Sequence, residues 1–280
     1  MVPVIGTVLT SVVAAQRQFD LERHYNLMAQ LDQDVHDDVA LSRAEVETAL
    51  RLIRTVMGSV PSHVSLPCFG TGRHVPYLLE AGVMRVTGVD LSAKCVAKAK
   101  RATGSDQRVV LVQGDVREHI PANVDAVILL GNSFGDLIDL RGLRQVTEAM
   151  VASLPPDGVF VMDYIGTGFL DRCRDKTVGR WDAMLDGRKV LDERIPSYDG
   201  HGVMTIHVVV RDAETGKQVA TTHYQKRILD EREVVTFFDG LGVTLTRIGP
   251  AHEVNLHYAG QPIAALGMIG ASTWWIGVKR

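Results

Sequence analysis

The stretch Val64-Ser-Leu-Pro-Cys-Phe-Gly-Thr-Gly-Arg-His-Val75 constrains this chain more than any other. A short apolar run enters a glycine-rich turn, and a helical pattern leaves it. Gly70 and Gly72 lack Cβ, so the backbone can bend sharply and let a ligand come close. The helix that follows offers free N–H groups and a positive dipole end to that ligand. The stretch predicts the first strand, loop and helix of a nucleotide-type pocket.

From there the pattern alternates. Strands are predicted at 63–68, 85–90, 109–113, 125–130 and 159–164, with helices at 73–81, 92–100 and 141–154. Near-continuous apolar strands between helices predict a parallel sheet covered on both faces. Right-handed crossovers place the loops after the first four strands along one rim. After Thr167 the pattern changes. Strand-like runs at 189–195, 203–211 and 217–229, with turn signals at Asp199-Gly200 and 212–216, predict an inserted antiparallel meander. Asp230 to Glu233 opens a helix ended by Gly240 and Gly242, and 243–248 and 273–278 supply two closing strands.

Upstream, 17–57 reads as helical and amphipathic. Ser42-Arg-Ala-Glu45 has the form of a capping box, with Val46, Leu50, Ile53 and Met57 as a buried stripe. Phe19 to Asn26 is either a packing helix or a lid with Tyr25 pointing into the pocket. The expected organisation is an arm and helical lid (1–60), an α/β core (61–166), a β insertion over the substrate site (167–229) and the completion of the core (230–280).

Composition narrows the function. The chain has 280 residues, 46% of them apolar, and a net charge of −3 without a basic block. That argues against a nucleic-acid or anionic-membrane footprint. Cys68, Cys95 and Cys173 have no metal or disulfide spacing, which suits a reducing cytoplasm. No H-x-x-H or carboxylate cluster calls for a metal. Val2 to Ala15 is apolar but too short to span a bilayer, and is expected to pack on the body or on a second subunit as a homodimer.

Four rim positions carry the polar groups a nucleoside needs. The glycine turn is the first. Asp90, 18 residues after Gly72, can accept both ribose hydroxyls, or help start the next helix with Ser92. Asp115, after Gly114, can accept from an adenine amine, or cap a loop. Gly131-Asn-Ser-Phe-Gly-Asp136 allows close backbone approach, with Asn132 as donor and acceptor, or is an ordinary turn. A dinucleotide fingerprint needs a third glycine where this chain has Val75.

The set resembles the class I S-adenosylmethionine-dependent methyltransferases. Their glycine loop corresponds to Gly70–His74, their ribose acid to Asp90 within Val89–Ser92, and their G-D loop to Gly114-Asp115. The resemblance implies a doubly wound, mostly parallel seven-stranded Rossmann-like sheet with its last strand antiparallel. It implies S-adenosylmethionine held by Tyr25, Cys68, Phe69, Gly70, Gly72, Arg73, Asp90, Leu91, Ser92, Gly114, Asp115, Val116, Gly131, Asn132 and Ser133. The segment from Arg180 to Arg188, with the meander, is similar to the β insertion of small-molecule members. The chain departs from the family at two positions, Leu66 replacing the usual acid and Cys68 the first glycine. Backbone carbonyls near Cys68–Gly70 and Gly131, with Tyr25, are expected to replace the acid.

The implied reaction is in-line transfer of a methyl group to nitrogen, oxygen or carbon of a small molecule. Asp163 and Tyr25 are the catalytic candidates. Phe134, Tyr164, Trp181, His201, His252, Tyr258 and Trp274 are the substrate candidates, and His207 is read as surface. The alternatives are a cofactor-binding but silent partner protein and an NAD(P)-dependent oxidoreductase.

Overall fold

The computed structural model describes residues 3–33, 39–167, 170, 179–250, 257–258, 261–262 and 272–280. In chain order its elements begin with α1 (Pro3–Met28), β1 (Leu31–Gln33), α2 (Val39–Met57), β2 (His63–Pro67), α3 (Val75–Glu80), β3 (Arg85–Asp90), α4 (Ala93–Thr103), β4 (Val109–Gln113), β5 (Ala126–Leu129), α5 (Leu140–Ser153) and β6 (Val159–Tyr164). There follow β7 (Gly179–Leu185), β8 (Arg188–Tyr198), β9 (Val203–Asp212), β10 (Gln218–Arg227), α6 (Glu231–Thr236), β11 (Val243–Pro250), β12 (His257–Tyr258), β13 (Gln261–Pro262) and β14 (Thr273–Lys279).

Seven strands form one sheet in the order β11-β14-β6-β5-β2-β3-β4. The pairs from β6 to β4 are parallel, and β14 runs antiparallel to both β6 and β11. Both faces are covered, and β5 at the centre is apolar throughout. Along β5, Val127 and Leu129 join one core cluster while Ala126 and Ile128 join the other, beneath α2 and α3. The loops after β2, β3, β4 and β5 lie side by side on one rim, as their order in the sheet requires.

The second sheet, β1-β7-β8-β9-β10, is wholly antiparallel. Its inner face, with Val190, Met204, Ile206, Val208, Val210 and Tyr224, continues the core of the first sheet. Its outer face carries His207, in agreement with a surface reading.

Three expectations are corrected. The helical run 17–57 is interrupted, because β1 leaves α1 to pair with β7. Ser42 and Glu45 do not cap α2; the helix starts at Val39, and Glu45 turns inward to a buried ion pair. The insertion has an additional strand, β7, joined to β8 by Asp186-Gly187 with φ of 50° and 76°. Both central residues being left-handed marks the tight hairpin turn that Asp-Gly favours. α6 opens at 230–233 as expected, with a capping box between Asp230 and Glu233, but it ends at Thr236, before the two glycines.

Candidate active site

The glycine turn leaves β2 at Cys68. Its φ of 56° is left-handed, so the chain keeps the backbone shape of a glycine here with a cysteine. Gly70 follows at φ 58°, and a Cβ there would meet nothing within 4 Å, which leaves open space beside the turn. Its N–H donates to Asp90 Oδ2 at 2.7 Å. Asp90 Oδ1 accepts from Ser92 N–H, so this carboxylate ties the turn to the end of β3. Burial raises Asp90 to about 6, against those two hydrogen bonds. Gly72 faces away; a Cβ there would lie 2.7 Å from Ala99 Cβ on α4.

A cavity of about 190 Å³ lies against the turn. That is below the ~300–1,000 Å³ of typical small-molecule sites. It matches the reacting end of a nucleoside-type ligand rather than the whole of one. Its first wall is the rim: Leu66 through Thr71, Gly131 to Ser133, and Asp163. Asn132, at φ 59°, donates its N–H to Asp163 Oδ1 at 3.0 Å. Asn132 Oδ1 is buried without a hydrogen-bond partner beside the cavity. Such an acceptor calls for a ligand donor. Asp163, deep at the end of β6, is pushed up to about 6 by burial, against the hydrogen bonds from Asn132 and Ser272.

The opposite wall comes from α1 and the second sheet. Tyr25 donates its hydroxyl proton to Asp136 Oδ2 at 2.5 Å. Lys226 Nζ pairs with Asp136 and also donates to Asn132 O at 2.9 Å. Arg194 donates through Nε and Nη2 to buried Asp192, and its guanidinium lies 4.8 Å over the Trp181 ring. His24 stacks on Tyr224 at 3.9 Å. A third buried group borders the cavity, where Glu45 accepts from Arg73 at 2.5 Å and from His74 at 2.7 Å. Burial would raise Glu45, but the Arg73 charge and the two hydrogen bonds hold it near 2. His74 is lowered, chiefly by burial and then by the Arg73 charge.

The structure brings Tyr25, Cys68, Phe69, Gly70, Arg73, Gly131, Asn132, Ser133, Asp163 and Trp181 to this one cavity. Other expected residues lie elsewhere. Gly72, Asp90, Leu91, Ser92, Gly114, Asp115 and Val116 do not line it. Ser92 caps α4 and donates to Asn26 Oδ1, which also receives Lys94 N–H. Gly114 faces His119, Val116 is in the core, and the Asp115 carboxylate is taken up by Arg117. Phe134, 1% exposed, is packed among Tyr164, Phe237 and Phe238. Tyr164 donates to Arg227 O and accepts from Leu229 N–H, pinning the end of β10 to the core. Trp274 is buried in the cluster beneath α2. His201 is exposed in the β8–β9 turn, away from the cavity. His252 and the Tyr258 side chain lie outside the described residues.

Sequence reasoning misses Glu45, His74, Asp136, Arg194, Tyr224 and Lys226. Strand alternation carries a signal for some of them. Asp192 and Arg194 share the inward face of β8 with Val190, and Lys226 shares that of β10 with Tyr224. A charge on an apolar face marks either a buried pair or a site. Among the described residues no group of three or more His, Cys, Asp or Glu could hold a metal. No described helix is long and apolar enough to cross a membrane.

Comparison with known proteins bears on the fold. Residues 67–158 match the family model described as "Methyltransferase domain". Glycine/sarcosine N-methyltransferase of Aphanothece halophytica is 39% identical over 98 residues, 34% of this chain and 37% of that protein. The chain thus spans little more than a third of that relative's length. The amino pentose methyltransferase CalS10 of Micromonospora echinaspora, solved with S-adenosylmethionine bound, superposes with a TM-score of 0.65 at 20% identity, covering 85% of this chain and 92% of that one. The sugar N-methyltransferase KedS8 from Streptoalloteichus sp superposes with a TM-score of 0.66 at 22% identity, covering 85% and 87%.

Proposed function

For a chain that carries a methyltransferase domain on the class I methyltransferase fold, we propose that the cavity transfers a methyl group from S-adenosylmethionine to the nitrogen of a small amine. The carrying observation is one juxtaposition. An open, left-handed glycine turn and a buried carboxylate with a raised proton affinity, Asp163, face the same small cavity. The names of the relatives, N-methyltransferases of amino acids and sugars, support nitrogen as the acceptor.

The residues present fit the cofactor. Gly70 and Gly131 leave room for close backbone approach, and the buried Asn132 Oδ1 asks for a donor such as an ammonium group. Asp90 stands next to the turn for the ribose. Bound there, S-adenosylmethionine supplies a methyl group already activated by a sulfonium charge.

The protein's share is alignment and dryness. Tyr25, Trp181 and Tyr224 close the cavity and exclude water. Asp163, ionised above about pH 6, is placed to take the proton that the methylated nitrogen must lose. A small acceptor, rather than nucleic acid, suits a cavity of about 190 Å³ and a net charge of −3. A cytoplasmic setting belongs to the same reading. The alternatives weighed from the sequence, a silent partner and an oxidoreductase, gain no support from the comparisons.

Calorimetry with S-adenosylhomocysteine tests the reading. Micromolar binding is expected, and no heat at high micromolar concentration removes it. With glycine, sarcosine and an amino sugar as the acceptor panel, Asp163→Asn is expected to lower the rate constant of methyl transfer about 10²-fold. Its affinity for S-adenosylhomocysteine should stay within about threefold of wild type, since Asn can still accept the Asn132 N–H. An unchanged rate would remove Asp163 from the chemistry.

A further inference from the structure

We propose that Asp136 and Lys226 are positioning residues that make Tyr25 a pure hydrogen-bond acceptor toward the amine. The inference rests on the methyltransferase reading and assigns a task to three residues from three separate elements. Tyr25 comes from the last turn of α1, Asp136 from the loop after β5, and Lys226 from the inner face of β10.

The geometry is directional. A phenol has one proton to give and two lone pairs to receive. Tyr25 gives its proton to Asp136 at 2.5 Å. Its oxygen is thereby left with lone pairs only, and Tyr25 lines the cavity. Lys226 in turn pairs with the other Asp136 oxygen, and it also holds Asn132 O at 2.9 Å. Those two side chains are 2% and 8% exposed, so the pair is buried. An ionised Asp136 can only accept, and this fixes the direction of the phenol proton.

The direction matters for a nitrogen nucleophile. A neutral amine attacks through its one lone pair, while its N–H bonds point elsewhere. A phenol that donated into the cavity would occupy that lone pair and block attack. An acceptor oxygen instead binds an N–H and leaves the lone pair free to face the methyl carbon. As the C–N bond forms and the C–S bond breaks, the bonding pair leaves with sulfur. The extra proton on nitrogen then goes to Asp163 or to water. Tyr25 itself remains a neutral phenol; burial, then the Asp136 charge, raise its proton affinity well above the usual value.

The charges around Asp136 make the arrangement testable. Tyr25 faces it from α1, Lys226 and Tyr224 from β10, and Cys68 and Asp90 feel its charge from the rim. Lys226 is the cation of that group. Removing it leaves the buried Asp136 carboxylate without this paired cation.

The test uses the full chain labelled with 13Cζ-tyrosine, with Tyr25→Phe to assign the Tyr25 signal. In the wild type that signal is expected to stay flat from pH 6 to 9. In Lys226→Met it should move from its wild-type position, and Lys226→Arg should bring it back. Asp136→Asn should shift the signal at every pH without titration. The same variant should lower kcat at least about tenfold on the acceptor panel, with S-adenosylhomocysteine affinity within threefold of wild type. Should Lys226→Met fail to fold, the double variant Lys226→Met/Asp136→Asn buries no charge, and must show the shifted, flat signal. A wild-type Tyr25 signal that titrates, or one unmoved by Asp136→Asn, overturns the proposal. If the wild type does not bind S-adenosylhomocysteine, the methyltransferase reading falls instead, and the spectrum still reports where the Tyr25 proton lies.

Discussion

The two walls of the cavity are built from different materials. The rim wall, from the loops after β2 and β5, meets a ligand mainly with backbone and with the bare faces of Gly70 and Gly131. The opposite wall, from α1 and the second sheet, meets it with side chains already committed to one another: Tyr25 to Asp136, Lys226 to Asp136, Arg194 to Asp192. Backbone recognises a ligand common to many sequences, because it does not change with side-chain identity. A wall of paired charges has a fixed shape and little net charge, so it selects an acceptor by fit and hydrogen bonding. Glu45 with Arg73 and His74 belongs to this second kind, although it sits beside the rim.

The largest expected effect sharpens that difference through stability. Glu45 is held near 2, below its ordinary 4.5. A carboxylate depressed on folding contributes stability above its unfolded value, and loses it as pH falls toward the folded one. The shift corresponds to about 3 kcal/mol at pH 7, lost between about pH 5 and 2. Glu45→Gln should forfeit this at neutral pH, with the urea midpoints of variant and wild type converging near pH 2 to 3. Equal midpoints at pH 7 would mean that this pair shapes the cavity without holding the fold.

Next comes the rim. Gly70→Val puts a β-branched side chain at a left-handed φ of 58° and into the open space beside the turn. The backbone strain alone is about 1–2 kcal/mol. Calorimetry should show S-adenosylhomocysteine bound at least about tenfold more weakly. A variant that binds normally would break the comparison, since the rim would no longer be the cofactor wall. The smallest effect is on the far side. Trp181→Ala removes the ring beneath Arg194, and should raise acceptor KM several-fold while leaving S-adenosylhomocysteine affinity unchanged.

The same contrast explains what could be read from residues alone. The rim wall is written in local order. Gly70 and Asn132 follow strands and Asp163 stands near the end of one, and the strand pattern places them on one edge. The second wall is written in contacts between residues far apart in sequence, such as Tyr25 with Asp136 and Arg194 with Met28. Nothing local marks Glu45 as part of a buried ion pair, because its spacing from Ser42 also spells a capping box. Phe134 and Tyr164 follow rim strands and so resemble site residues, yet aromatic packing turns both into the core. Asp115 follows β4, where a base clamp is expected, and its carboxylate pairs with Arg117 two residues on.

Gly72 never borders the cavity, yet it governs the turn that does. With Ala99 pressed against the place its Cβ would take, α4 acts as a mould from which the turn is cast. A bulkier residue at either position would displace the backbone of Gly70 from behind. The geometry offered to a ligand is therefore set partly by a methyl group on the far side of the loop.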